Sequence, residues 1–106
     1  MRFRTSDCIA IGVSDMTAAE KFYVDVLGFE VGERWDEYVE LKTGALKLYL
    51  CEDDAPICFE VLVDGVPAAT DYLVEHGCKK DDEEGDEVFV TDPYGLRFCV
   101  SQSKEG

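Results

Sequence analysis

The chain has 106 residues, 46% of them hydrophobic, and carries 24 acidic against 10 basic side chains for a net charge of −14. This length holds one domain with a real core, and the apolar fraction excludes wholesale disorder. So acidic a surface repels nucleic acid and anionic lipid, and no apolar run reaches the length of a bilayer span, so neither partner is expected.

The first eight residues, MRFRTSDC, lack the apolar stretch of a secretory signal, which makes the cytoplasm the expected location. Five cysteines (Cys8, Cys51, Cys58, Cys78 and Cys99) form an odd set without CxxC spacing and read as free thiols in a reducing compartment. The negative charge favours a cationic ligand; it equally serves solubility or adaptation to salt.

Residues 8–13 read as a strand, with Ile9, Ile11 and Val13 on one face and the smaller Cys8, Ala10 and Gly12 on the other. The larger face is expected under a helix, and the smaller one lining an open space. Ser14 and Asp15 are both good helix caps. Ala19, Phe22, Tyr23 and Val26 then share one helical face, and Gly28 stops the helix. Three strands follow at 29–36, 38–42 and 46–51, the last two joined by a turn at Thr43-Gly44. The acidic stretch ending in Pro56 breaks the pattern, which then begins again.

Residues 57–63 form the next strand, and Asp64 is placed to cap a second helix with Pro67 in its first turn. Ala69, Tyr72 and Leu73 share a face of that helix, which ends at Gly77. Asp15 and Gly28 are separated by 13 residues, as are Asp64 and Gly77, with Tyr23 and Tyr72 at the same offset. This is an internal repeat. His76, the only histidine, falls at the end of the second helix, where the helix dipole favours it. The run KKDDEEGDE at 79–87 reads as a solvated turn or an edge strand. Residues 88–91 and 96–101 make a closing hairpin across Asp92-Pro93-Tyr94-Gly95, a type I turn pattern, and the tail SKEG is expected to be loose.

The strand ending in VSD, the helix AAEKFYVDVLGF and the late DPYG turn before an apolar strand together resemble the vicinal oxygen chelate superfamily, the glyoxalase and bleomycin-resistance family. The resemblance runs from about Cys8 to Ser101. It implies an α+β fold of two βαβββ modules, curved sheets around a cleft with a helix on the outer face of each. The expectation is a single domain, 1–106, with modules at about 7–52 and 56–102. It also implies a homodimer, in which modules pair within or between chains.

Many enzymes of the family hold a divalent metal with His and Glu side chains from the cleft strands. The position seven before the first capping Asp is Cys8, the one three before Phe59 is Pro56, and the one seven after Asp92 is Cys99. None carries the family's ligand, and the fourth position, on the fourth strand, has no fixed register. No metal or other cofactor is therefore expected; the alternative is a divalent metal in a non-standard site. Cys8 and Cys99 are either soft-metal thiols or packing residues.

With the apolar face of each strand under its helix, the opposite residues face the cleft. Among them Tyr38, Glu40, Tyr49, Glu60, Arg97, Cys8 and Cys99, with Trp35 at the mouth, are the candidate ligand-binding residues. Aromatic walls with a few carboxylates suit a flat, partly cationic molecule. Glu40 and Glu60 are the carboxylates singled out, as cation ligands or as a base, and Arg97 either pairs with one of them or holds a carboxylate. The leading expectation is a bleomycin-resistance-like protein that sequesters a small molecule without metal, conferring antibiotic resistance. The alternatives are a lyase, isomerase or dioxygenase of the same superfamily, and a plain interaction module. No catalytic residue is assigned.

Overall fold

A computed structural model describes residues 2–103; the Lys104–Gly106 part of the tail expected to be loose lies outside them. The fold is α+β, a βαβββ pattern used twice. Residues 7–57 make a first compact unit, and residues 2–6 with 58–103 make a second.

The first unit takes β1 (Arg4–Val13) from Asp7 onward, then helix α1 (Met16–Lys21), β2 (Glu30–Arg34), β3 (Tyr38–Lys42) and β4 (Lys47–Glu52). β1 runs parallel to β4, which pairs antiparallel with β3, which pairs antiparallel with β2. Val39, Leu41, Leu48 and Leu50 alternate onto one face and form the core with Ile9, Ile11 and Val13 of β1. Leu41 and Leu50 are fully buried, which stabilises the unit by about 2 kcal/mol for each.

Asp15 caps α1, its Oδ1 accepting from the Ala18 amide at 3.0 Å. Beyond Lys21 the helix widens into a π-helical segment, Phe22–Val26. That widening corrects the expected helical face. With i→i+5 bonding the later side chains rotate, so Met16, Ala19, Tyr23 and Val24 pack on the core. Phe22 and Val26 are turned outward, 51% and 64% exposed. Gly28 (φ +77°) ends the helix, and Tyr23 stacks on Phe29 with the ring planes 4° apart.

The second unit repeats the order with β5 (Cys58–Val63), α2 (Val66–Glu75), β6 (Lys79–Glu84), β7 (Glu87–Thr91) and β8 (Arg97–Gln102). β5 is parallel to β8, and β8–β7 and β7–β6 are antiparallel. Its core is Val61, Val63, Val66, Ala69, Val88, Val90 and Val100. The cap of α2 is Gly65 rather than Asp64, with no side-chain bond; the Gly65 carbonyl accepts the helix's first bond, from the Ala69 amide at 2.9 Å. Tyr72 does not share the core with Ala69 and Leu73; it stacks between Phe3 and His76 at the surface. The acidic run is an edge strand, β6, exposed along its length. Charge there blunts an open edge. The Asp92 turn forms as expected, its carboxylate accepting from the Tyr94 and Leu96 amides at 2.8 and 2.9 Å.

Two strand ends fall short of their expected bounds. β2 stops at Arg34, leaving Trp35 in the turn to β3, where its amide donates to the Tyr38 carbonyl at 2.9 Å. β5 starts at Cys58, leaving Ile57 exposed. Among the described residues no helix is long and apolar enough to cross a membrane.

Candidate functional site

The first unit carries Tyr38 and Tyr49, with Trp35 against them, on the sheet face opposite α1. In the β3–β4 register Tyr38 faces Cys51, Glu40 faces Tyr49 and Lys42 faces Lys47. In the β1–β4 register Cys8 faces Lys47 and Ala10 faces Tyr49. Five expected site residues, Cys8, Trp35, Tyr38, Glu40 and Tyr49, thus gather in one unit. Trp35 stacks on Tyr38 with ring centroids 4.5 Å apart, and Tyr49 lies 6.2 Å from Trp35 and 5.9 Å from Tyr38, edge-on to the latter. Such offset and edge contacts are favourable by about 1 kcal/mol a pair beyond burial. The tight turn after β2 is what folds Trp35 back onto Tyr38.

Tyr49 Oη sits 3.9 Å from Cys8 Sγ. Burial, then the hydrogen bond to Cys8, pushes the Tyr49 phenol up, so it stays protonated and available as a donor. Glu40 is only 8% exposed, yet no hydrogen bond or ion pair reaches its carboxylate from the described residues. Its side chain lies over Gly32 of β2, where an added Cβ would come 3.0 Å from the Glu40 Cδ and Oε1. Gly32 therefore gives the carboxylate its place, and sequence reasoning missed it. A glycine inside a strand was the signal that could have found it.

The expected open line along Cys8, Ala10 and Gly12 is interrupted at one end. The loop after β4 crosses over Gly12, whose amide donates to the Ala55 carbonyl at 3.1 Å. A Cβ at Gly12 would fall 2.6 Å from the Ala55 nitrogen. Beside the Trp35–Tyr38 turn, Asp36 and Glu37 line a shallow depression with Glu52, Asp53 and Met16.

The second unit presents the other three expected residues, Glu60, Arg97 and Cys99. Cys58 faces Arg97 and Glu60 faces Cys99 across β5–β8. Arg97 pairs with Asp81 at 4.0 Å, not with either singled-out glutamate, and lies 4.6 Å over the Phe89 ring. Cys99 Sγ donates to Glu87 Oε2 at 2.5 Å and lies 3.6 Å from Ser101 Oγ. Asp81, Glu87 and Phe89 were missed as site neighbours; the alternation of β7 against Val88 and Val90 was the available signal for the last two. Burial pushes the Cys58 thiol up to about 11, with Arg97 opposing and Glu87 and Glu60 adding to the rise. Burial and the bond to Glu87 push Cys99 up further. A depression lined by Glu60, Glu87, Ser101 and Arg4 opens on this face.

The donor set does not fit the divalent metal of the fold family. Pro56 has no side-chain donor atom, and Cys99 offers a thiol, engaged with Glu87, where the family has a carboxylate. The register now fixes the fourth strand too: its side chains beside Cys8 are Lys47 and Tyr49, neither the His nor the carboxylate that divalent metals favour. Among the described residues no three His, Cys, Asp or Glu side chains are placed to hold a metal ion.

The sequence model of the glyoxalase-like domain matches residues 8–101. Several solved structures share the fold. A glyoxalase/bleomycin resistance protein/dioxygenase superfamily member from Vibrio splendidus is 23% identical with a TM-score of 0.70, over 96% of this chain and 100% of that one. Homoprotocatechuate 2,3-dioxygenase from Arthrobacter globiformis is 27% identical with a TM-score of 0.67, over 93% of this chain and 36% of that one. The Mn(II)-bound glyoxalase from Novosphingobium aromaticivorans is 22% identical with a TM-score of 0.63, over 95% of this chain and 40% of that one. No curated protein sequence matches the chain significantly.

Proposed function

Because the chain belongs to the glyoxalase-like family of the vicinal oxygen chelate superfamily, we propose that it binds and sequesters an aromatic, partly cationic small molecule without a metal. One observation carries this reading: Trp35, Tyr38 and Tyr49 lie within 6.2 Å of one another on a single sheet face, beside a buried carboxylate. Aromatic faces attract flat and cationic groups, and the net charge of −14 adds a field that draws cations in. Thiols and a proline at three ligand positions remove the need for metal to explain the face. The reading includes a homodimer, which sedimentation would test.

The test is a thermal-shift screen of metal-free protein against cationic aromatic compounds and divalent metals. Binding to the native state raises the midpoint by mass action. A shift with the aromatic cations in the presence of chelator supports the reading; a flat response to them sinks it. A second reading, a lyase, isomerase or dioxygenase with a non-standard metal site, is favoured by the dioxygenase and glyoxalase that share the fold. Stoichiometric, tightly held metal after purification would select it.

A further inference from the structure

We propose that Glu40 anchors a site for a flat organic cation bearing N–H donors, an aryl amidinium or aryl ammonium, laid against Trp35 and Tyr38. The proposal rests on the ligand-binding reading above and names the ligand class and the residue that selects it. A carboxylate at an apolar face is stabilised by N–H donors or by an opposite charge. Glu40 is more than nine-tenths buried and receives neither from the described residues. The two cations nearest along the face, Lys42 and Lys47, are exposed and make no ion pair with it among the described residues. The Glu40 oxygens are not sealed from solvent, so they are open to accept from a ligand cation.

The surroundings choose the shape of that cation. Gly32 leaves room for the carboxylate on the β2 side, and Tyr49 stands directly across from it on β4. The stacked Trp35–Tyr38 pair offers a ring face to a planar group. An amidinium presents two parallel N–H groups to two carboxylate oxygens, the strong bidentate arrangement. A quaternary ammonium keeps the attraction to the rings but has no N–H for Glu40. A neutral isostere loses the charge, and an anion would add a second unpaired negative group.

Trp35 is the only tryptophan, so its fluorescence reports this face alone. The test titrates wild type, Glu40→Gln and Gly32→Ala with benzamidine, its neutral isostere benzamide, and phenyltrimethylammonium. Wild type should bind benzamidine at least about tenfold more tightly than either other probe. Glu40→Gln should lose that preference while holding benzamide within about twofold, and should be no less stable to heat. Gly32→Ala, which crowds the carboxylate, should lose part of the benzamidine preference and keeps the test open if Glu40→Gln does not fold. If wild type and both variants bind all three probes alike, Glu40 is not the anchor and only the aromatic reading stands. If no probe changes Trp35 fluorescence in wild type, the proposal falls together with the ligand-binding reading.

Discussion

The two units repeat one topology but treat the polar groups on their open faces in opposite ways. In the second unit Arg97 is paired with Asp81 and lies on Phe89, Glu87 accepts from Cys99, and Glu60 is half-exposed. In the first, Glu40 is buried deeper than Glu60 and has no partner among the described residues, beside the stacked Trp35–Tyr38 pair and Tyr49. A face whose groups satisfy each other is finished by folding; a face whose carboxylate has no protein partner among the described residues stays open to a ligand. The contrast is the ground for proposing ligand recognition in the first unit, while the buried thiols of the second are held protonated.

The largest expected effect separates the units by their cores. Leu50→Ala in the first unit should cost about 3 kcal/mol in urea unfolding and Val100→Ala in the second about 2 kcal/mol, both side chains being fully buried. Only Leu50→Ala, which undermines the strand carrying Tyr49, should also weaken the Trp35 response to ligand. Equal weakening by both would erase the contrast.

Next in size is an alkaline loss of stability from the buried thiols. Cys58 is raised from 9.0 to about 11 on folding, so between those values the unfolded chain has lost a proton that the native state keeps. Native stability is then full below pH ~9 and declines as pH rises through ~11, by at most about 3 kcal/mol from this group. Stability measured against pH should show that limb, and Cys58→Ala should make it shallower, Cys99 keeping the rest, despite a lower starting stability. An unchanged slope in the variant would show that Cys58 is not its source.

A smaller pair of substitutions tests the repeat itself. Gly28 and Gly77 both end helices at positive φ, +77° and +104°. Alanine at Gly28 meets open space and should cost about 1 kcal/mol for the backbone alone, whereas at Gly77 it also meets Pro93 Cγ at 3.1 Å. Thermal melts should therefore rank Gly77→Ala below Gly28→Ala. Smallest of all, Tyr38→Ala should weaken benzamidine binding about fivefold, since one ring of the stack contributes about 1 kcal/mol. Phe89→Ala on the second unit's face should leave that binding unchanged.

Much of this was legible in the residues. Alternation in β1, β3 and β4 put Tyr38, Glu40 and Tyr49 on one face with Cys8, and the Asp15–Gly28 and Asp64–Gly77 spacing exposed the repeat. The misses share a cause. Periodicity assumes regular geometry, so the π-helical widening after Lys21 turned Phe22 and Val26 outward without any change of composition. Trp35 was assigned to a strand because hydrophobic pattern carries no information on where a tight turn closes. The partners Asp81 and Glu87 lie on strands distant in sequence, and only register shows that their carboxylates meet Arg97 and Cys99. Gly32 was passed over because a missing side chain leaves no pattern; its meaning is the room it gives Glu40.

The central claim is that the Trp35 face binds a cationic aromatic molecule by itself, with no metal in the site. Titrating the wild-type protein with benzamidine in excess chelator, read by Trp35 fluorescence, addresses it directly. The account predicts a saturable change that added divalent metal does not enhance. No saturable change in chelator, with binding restored only by metal, would contradict it.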